Sequence, residues 1–388
     1  MTQDNVLQTV GCRVRTVRER LGMTQEAVAE KLGIPRSAVS DIETGKRELS
    51  ATELFRLTDL FGESLDYLLG LEDDQPEEEL VMLRAEEVAS AARAEVNRFI
   101  HRCDEYRELE EMTGEVREAD LRPLRTILST YEQAWKLAED ERQRLDLGWP
   151  PAHQLLPVLE ERVGVKVFFL PLGASIAGAS IRSRKFGPAI LVNRDDVPGR
   201  RVFTLAHEYF HLLTEGRIAG SKGPQALHVC TPKDADGKKD RADTLADQFA
   251  GRLLIPAEAL VEQLKSFQKA DRKIDWFDLI RLAQNFGVST QVMLYQLAAR
   301  KIITWEAYKQ IYEDPAFQDR IVKERGEEAG PEPQRFGHLA VKAYLTEEIS
   351  RSRLAELLGI NVADVDEVVN RYQGGEGRRD GIKLSLPR

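Results

Sequence analysis

Two histidines with a glutamate between them stand near the middle of the 388-residue chain, in the order His207-Glu208-Tyr209-Phe210-His211. Positions i and i+4 of a helix lie on the same face, so both imidazoles can reach one metal ion. Glu208 follows the first histidine and is placed to take a proton from water at the open position of that ion. Because the chain has only six histidines, this spacing indicates a hydrolytic metal site rather than two packed side chains.

A catalytic zinc site needs three protein ligands and one open position, so a third ligand is expected on a nearby element. Asp243 and Asp247 stand four residues apart in a stretch with helical periodicity. We assign Asp243 to the metal, and Asp247 to accepting the N–H of a ligating histidine. Asp240 and His228 are the competing candidates for the third ligand. The plainer explanation for both is that they are ordinary polar residues of a loop. His228 or Cys230 could also occupy the fourth metal position in a resting form.

Two predicted helices must present these side chains, one at about residues 200–215 and the other at about 240–254. Residues 220–239 between them are rich in Gly, Lys, Pro and Asp, which predicts a long mobile loop. Upstream, a period-two pattern predicts three strands, at 165–170, 177–181 and 189–193. The strand near 189–193 is expected to be an edge with which an extended peptide could pair.

Three stretches of this region match a known motif set: Phe203-Thr204-Leu205-Ala206-His207-Glu208-Tyr209-Phe210-His211, then Ala246-Asp247-Gln248-Phe249-Ala250 with Leu253-Leu254-Ile255-Pro256, and Leu282-Ala283-Gln284-Asn285-Phe286-Gly287-Val288-Ser289. On these motifs residues 148–300 resemble the ImmA/IrrE metallopeptidases, a zincin-like group of intracellular bacterial proteins. The resemblance implies a zinc cofactor and peptide-bond hydrolysis with Glu208 as general base. The family's third ligand is usually a glutamate, and Asp243 stands at that position. Aspartate is one methylene shorter, so its helix must lie closer or the metal is held less tightly.

The first 70 residues form a run of short predicted helices separated by turn signals such as Leu21-Gly22-Met23 and Leu32-Gly33-Ile34-Pro35. They resemble the Xre (lambda-repressor-like) helix-turn-helix family through Arg15, Arg18, Leu21, Gly22, Met23-Thr24-Gln25-Glu26, Ala29, Leu32-Gly33, Ser40, Ile42-Glu43, Gly45 and Leu54. In such modules one helix enters the major groove of double-stranded DNA with its N-terminal residues at base edges. Arg36, Ser37 and Ser40 are therefore expected to read bases. Gln25, Lys46 and Arg47 are expected to lie at phosphates.

Charge restricts how this chain can bind DNA. Its 55 basic and 65 acidic residues give a net charge of −10, so nucleic-acid contact must come from a local patch. Arg13, Arg15, Arg18 and Arg20 concentrate positive charge on the first helix. One module makes few contacts, so useful specificity implies a homodimer on paired half-sites. The apolar stripes of the two helices predicted at about 78–145 belong either to a core or to a dimer seam, and these helices are the candidate dimer element.

The whole pattern predicts a mainly α protein with a small β-sheet (α+β). Four parts follow from the composition shifts: residues 1–71, a five-helix helix-turn-helix domain; 72–147, an acidic linker and long helices; 148–325, the zincin-like domain; and 326–388, a C-terminal helical module and tail. The last part has a second helix-turn-helix pattern. A second DNA-reading module is one interpretation of it, and a packing or partner module is the interpretation that we favour. Three distant cysteines and no long apolar stretch indicate a cytoplasmic protein without a membrane partner.

Two functions fit these observations. The first is a DNA-binding regulator fused to a zinc endopeptidase that cleaves a protein. The family resemblance implies an Xre-type repressor as the substrate, and an antitoxin-like partner of a toxin or this chain itself near residues 72–79 are the alternatives. The second is a transcription factor without catalytic activity, whose metallopeptidase-like domain senses a metal or small ligand. The intact set of His207, Glu208 and His211 favours the peptidase, because a sensor would need no general base.

Overall fold

The computed structural model describes residues 3–21, 23–61, 65–69, 90–122, 124, 126–173, 176–215, 217–219, 227–230, 240–268, 276–324 and 332–376. The predicted acidic linker at 72–79, most of the predicted loop at 220–239 and the tail beyond 376 lie outside these ranges. The described chain is mainly helical with a four-stranded sheet, which confirms the predicted fold class. None of the helices in these ranges combines the length and the apolar character needed to span a bilayer.

The described part of the N-terminal unit contains five helices, as predicted: α1 Gln3–Arg20, α2 Gln25–Leu32, α3 Arg36–Glu43, α4 Ala51–Phe61 and α5 Leu65–Leu69. The Thr24 side chain caps α2 by accepting the N–H of Ala27, and Gly33 ends it at φ 72°. Glycine adopts that left-handed conformation at little cost. The apolar sides of these helices meet in a core of their own, which includes Val14, Val28 and Leu57.

The sheet contains β1 Lys166–Leu170, β2 Gly178–Ser183, β3 Gly187–Asn193 and β4 Leu227–Cys230. Its order is β1-β3-β2-β4, with β3 parallel to β1 and with β2 antiparallel to β3 and to β4. The first three strands match the predicted ones. The loop prediction is wrong for residues 227–230, which form β4. The edge prediction for 189–193 is also wrong, because β3 is hydrogen-bonded to a strand on each side.

Helices cover both faces of the sheet, and side chains that alternate along a strand enter two different cores. Val167 of β1 joins one core with the helices that follow the sheet, and Phe168 joins the other with the C-terminal helices.

The remaining helices of the described residues are α6 Ser90–Met112, α7 Tyr131–Arg144, α8 Pro151–Val158, α9 Pro198–Thr214, α10 Arg241–Leu254, α11 Ala257–Gln268, α12 Trp276–Phe286, α13 Thr290–Ala299, α14 Trp305–Tyr312, α15 Pro315–Glu324, α16 Arg335–Leu345, α17 Arg351–Leu358 and α18 Val365–Glu376.

The long helix α6 is part of the folded core. Its residues Val96, Phe99 and Cys103 are fully buried and pack with the sheet and with α16 to α18. Of the two interpretations of this stripe, core and dimer seam, the structure supports the core over the described part of the helix, because the same chain already covers it. The C-terminal helices enter the same core through Leu339 and Leu354, which supports their interpretation as a packing module.

A buried glutamate makes the stability of this core depend on pH. Glu160 is 4% exposed, and burial raises the pKa of its carboxyl to about 8. Between about pH 4.5 and 8 the folded chain holds a proton there that the unfolded chain releases. The free energy of unfolding should therefore fall as the pH rises, by at most about 1.4 kcal/mol per pH unit.

We expect Glu160→Gln to flatten this pH dependence and to be more stable than the wild type at pH 8. Urea unfolding at several pH values measures both effects. Glu306→Gln, at an exposed position of α14, is the control and should keep the wild-type slope. Identical slopes for Glu160→Gln and the wild type would contradict the assignment.

Candidate metal and DNA-binding sites

Helix α9 carries the central histidine pair. Pro198 occupies its first turn, where a missing N–H costs nothing, and every residue from 201 to 214 is buried. His207 and His211 lie one turn apart, with their Nε2 atoms separated by 3.2 Å. The helix therefore directs two imidazole nitrogens at one point.

Asp243 on α10 completes a three-residue group. Its Oδ1 lies 3.5 Å from the Nε2 of His207 and 3.4 Å from the Nε2 of His211. Burial raises the pKa of the Asp243 carboxyl, but hydrogen bonds from the surrounding histidines outweigh burial and hold it far below its usual range. The Asp243 side chain, although one methylene shorter than a glutamate, therefore reaches both histidines. Asp240 instead caps α10 by accepting the N–H of Arg241.

Asp247 stands one turn further along α10, behind the first histidine. Its Oδ1 is 3.0 Å from the Nδ1 of His207. A carboxylate at that nitrogen favours the tautomer with the proton on Nδ1, which leaves the Nε2 lone pair free for a metal.

Strand β4 adds two side chains that sequence reasoning named only as alternatives. The Nε2 of His228 is 3.0 Å from the Oδ1 of Asp243, and its ring stacks on that of His211 with centroids 3.5 Å apart. Cys230, two residues later, is buried near His207 and Glu208. The signal for a strand was the four-residue pattern Leu-His-Val-Cys, which is too short to be recognised without its partner.

The donor set fits a zinc ion. One ligand atom from each of His207, His211, His228 and Asp243 lies within 4.8 Å of the others. Two ligands of a tetrahedral ion with bonds of about 2.05 Å lie about 3.3 Å apart. The four measured separations between donor atoms, from 3.0 to 3.5 Å, bracket that value. Imidazole nitrogen and carboxylate oxygen are both ordinary zinc ligands.

Glu208 lies beside this group and is fully buried. Its Oε2 accepts a hydrogen bond of 2.8 Å from the Oγ of Ser180 on β2, a contact that sequence reasoning missed. Its Oε1 has no hydrogen-bond partner among the described residues. Burial raises the pKa of the Glu208 carboxyl, as is useful for a group that exchanges protons near neutral pH.

Gly178 allows β2 to lie close to α9. A Cβ atom at this position would stand 2.7 Å from the Cγ2 of Thr204 and 3.2 Å from the Cγ of Glu208. Any larger residue would therefore push the strand away from the helix. The glycine sets the distance across which Ser180 reaches Glu208.

The candidate DNA-contacting residues divide into two groups. Arg36 and Ser37 are exposed at the start of α3 and Ser40 is half-buried, while Val39 and Ile42 of the same helix face the core. Lys46 is also exposed.

The other candidate residues for DNA contact form hydrogen bonds or ion pairs within the N-terminal unit. The Nε2 of Gln25 donates to the Oε2 of Glu43 at 2.8 Å, and Arg47 pairs with Glu53 at 2.8 Å. Arg18 is 9% exposed and donates to the same Glu43 carboxylate. Arg18 is one of the four arginines that concentrate positive charge on the first helix, but its charge is paired with Glu43 inside the unit.

Comparison with known proteins finds matches for two parts of the chain. Residues 14–68 match the family described as helix-turn-helix, and residues 160–298 match the IrrE N-terminal-like domain. The radiation response metalloprotease IrrE of Deinococcus deserti is 31% identical over 151 residues, which are 38% of this chain and 47% of that protein. The chain thus spans about half the length of this curated relative.

Solved structures of ComR from Streptococcus suis and from S. thermophilus align over 96% of this chain at 14% and 16% identity. Their TM-score of 0.16 is too low to support an argument. Of the two family matches, one lies within the α1–α5 unit and the other contains His207, His211 and Asp243. The chain therefore contains an N-terminal helix-turn-helix domain of the Xre type, fused to a domain of the IrrE-like family.

Proposed function

We propose that this protein is a DNA-binding regulator that also acts as a zinc-dependent endopeptidase on another protein. The observation that carries the proposal is the buried Glu208 next to three metal-binding side chains, with one carboxylate oxygen lacking a partner in the described structure. A site that only stores or senses a metal needs no such carboxylate. His207, His211 and Asp243 would hold the ion.

Zinc in such a site lowers the pKa of water and polarises a peptide carbonyl. Glu208 supplies the proton transfers: its free Oε1 accepts a proton from water, and the same oxygen can return it to the leaving nitrogen. Ser180 holds the other oxygen, so the carboxylate keeps one orientation throughout. Asp247 holds the His207 ring in its orientation.

The proposed substrate is an Xre-type regulator, as the ImmA/IrrE resemblance implies, and the proposed DNA-bound form is a homodimer. Cleavage of this chain near 72–79 is a variant of the same proposal, although those residues lie outside the described ranges. The N-terminal domain match supports the DNA-binding half.

One observation favours the alternative of a regulator without catalytic activity. His228 brings a third imidazole to the metal-binding group, and four protein ligands are typical of structural zinc sites. A domain with a closed site could sense the metal itself.

Cleavage assays on the purified full chain separate the two functions. We expect stoichiometric zinc, and cleavage of an Xre-type regulator encoded nearby that stops with a chelator and returns with added zinc. Mass spectrometry of the products locates the cut. Stoichiometric zinc without cleavage of these regulators or of the chain itself would favour the sensor.

For the DNA-binding half, we expect Arg36→Ala to weaken binding to the operator by about 1–3 kcal/mol while leaving the fold intact. Arg36 is exposed at the start of α3 and pairs only at the surface with Glu26, so the variant removes a DNA contact without opening the core. Gel retardation against specific and unrelated DNA measures the change. Arg98→Ala, at an exposed arginine of α6, should bind like the wild type. Equal operator affinity of Arg36→Ala and wild type would remove Arg36 from the interface.

A further inference from the structure

Strand β4 occupies the edge of the sheet closest to the metal-binding group. It pairs antiparallel with β2, with Gly178 opposite Cys230 and Ser180 opposite His228. β2 in turn lies directly on α9, through the close approach at Gly178 and the Ser180–Glu208 hydrogen bond. The outer edge of β2 is therefore a backbone edge next to Glu208, and a segment of this same chain covers it.

Side chains alternate along a strand, so His228 and Cys230 of β4 face the same side. That side is the metal-binding group. The ligand atom of His228 lies within 4.8 Å of those of His207, His211 and Asp243. The Sγ of Cys230 lies within the same distance of ligand atoms of His207 and Glu208. His228 is thus the better placed of the two to bind the same ion.

An extended peptide binds to a sheet by adding a strand to an exposed edge, where main-chain hydrogen bonds hold it in register. On the β2 edge those hydrogen bonds are already made by β4. A peptide aligned there would lie beside Glu208 and would take both the backbone partners of β4 and the space of the His228 ring.

We propose that His228 is a fourth protein ligand of the metal. In the second half of the proposal, β4 is an internal strand that occupies the position of the substrate, and β4 must leave β2 before a peptide bond can reach Glu208. The proposal rests on the proposed peptidase function for its second half only. The ligand role of His228 holds for a sensor as well. In the resting form the site has four protein ligands, and displacement of β4 opens the fourth position.

Metal binding tests the ligand role without any assay of activity. We expect His228→Ala to weaken zinc binding by at least about 10-fold in competition with a chromophoric chelator, because even the loss of a residue behind a ligand costs that much. In the Co²⁺-substituted protein the visible absorption should change, since one nitrogen donor is lost. His153→Ala, at an exposed histidine of α8, should leave both readouts unchanged. Unchanged affinity and spectrum in His228→Ala would overturn the ligand role.

A reversible cross-link tests the displacement. Ile181 and Leu227 are opposite each other in β2 and β4, buried in the core. In Ile181→Cys/Leu227→Cys, an oxidised pair would lock β4 in place. We expect oxidation to abolish regulator cleavage with zinc affinity unchanged, and dithiothreitol to restore cleavage. The two single cysteine variants should not respond to oxidation in this way.

The outcomes separate this inference from the proposed function. Cleavage that depends on Glu208 but continues in the oxidised cross-linked protein would overturn the displacement of β4 and leave the peptidase intact. A metal affinity and Co²⁺ spectrum that depend on His228, without cleavage by any variant, would support the fourth ligand and overturn the peptidase. In an active peptidase, His228→Ala should raise the rate at saturating zinc, because the fourth position is open from the start.

Discussion

Glu208→Gln should lower the rate of regulator cleavage by about 10²- to 10⁴-fold, the usual contribution of a general acid–base group. Glutamine keeps the shape of the side chain and can keep the hydrogen bond to Ser180. It cannot take a proton from water at neutral pH. Zinc affinity should stay near the wild-type value, because Glu208 lies beside the proposed ligands and is not one of them. Cleavage rates at saturating zinc and a chelator competition measure the two quantities.

Glu215→Gln is the matched control, since Glu215 ends the same helix and pairs with Arg182. It should cleave at the wild-type rate. A Glu208→Gln variant with full activity would show that another group moves the proton. A variant that loses zinc together with activity would make Glu208 a ligand instead.

Glu110→Ala should destabilise the protein by about 3–5 kcal/mol, because it removes the shared partner of two buried cations. Glu110 accepts from Lys166 at 2.8 Å and from Arg335 at 3.2 Å, and all three residues are at most 4% exposed. Burial lowers the pKa of Lys166 although Glu110 opposes the shift. Without the carboxylate, the cations would lose their counter-charge in the core.

The three residues of this network join α6, β1 and α16, so the loss should appear in urea unfolding of the core that contains the sheet and these helices. Glu111→Ala removes the neighbouring carboxylate, which is 59% exposed and pairs with Arg107 at the surface. Surface pairs contribute at most about 1 kcal/mol. Equal effects of the two variants would contradict the special role of Glu110.

Much of the fold follows from local pattern. The sequence pattern predicts helices at 200–215 and 240–254, within about two residues of α9 and α10, because long stretches repeat one period. β1, β2 and β3 are recognisable for the same reason. β4 is not, since its four residues become a strand only when β2 supplies their hydrogen bonds.

Strand order and helix partners are not local properties. Residues 189–193 have a clear strand pattern, but nothing in it tells whether one or two neighbours will pair with it. The α6 stripe likewise shows that Val96, Phe99 and Cys103 must be buried, but not against what. The sheet and the C-terminal helices cover it in this chain.

For the metal site, the sequence by itself determined that His207 and His211 share a face with Glu208 adjacent, because a helical repeat needs only neighbouring residues. Only the tertiary structure decided that His228 meets Asp243 and that Ser180 holds Glu208. These contacts join residues 15 and 28 positions apart. Their approach depends on how α9 packs on β2 and α10, and that packing is a compromise among all the side chains of the core.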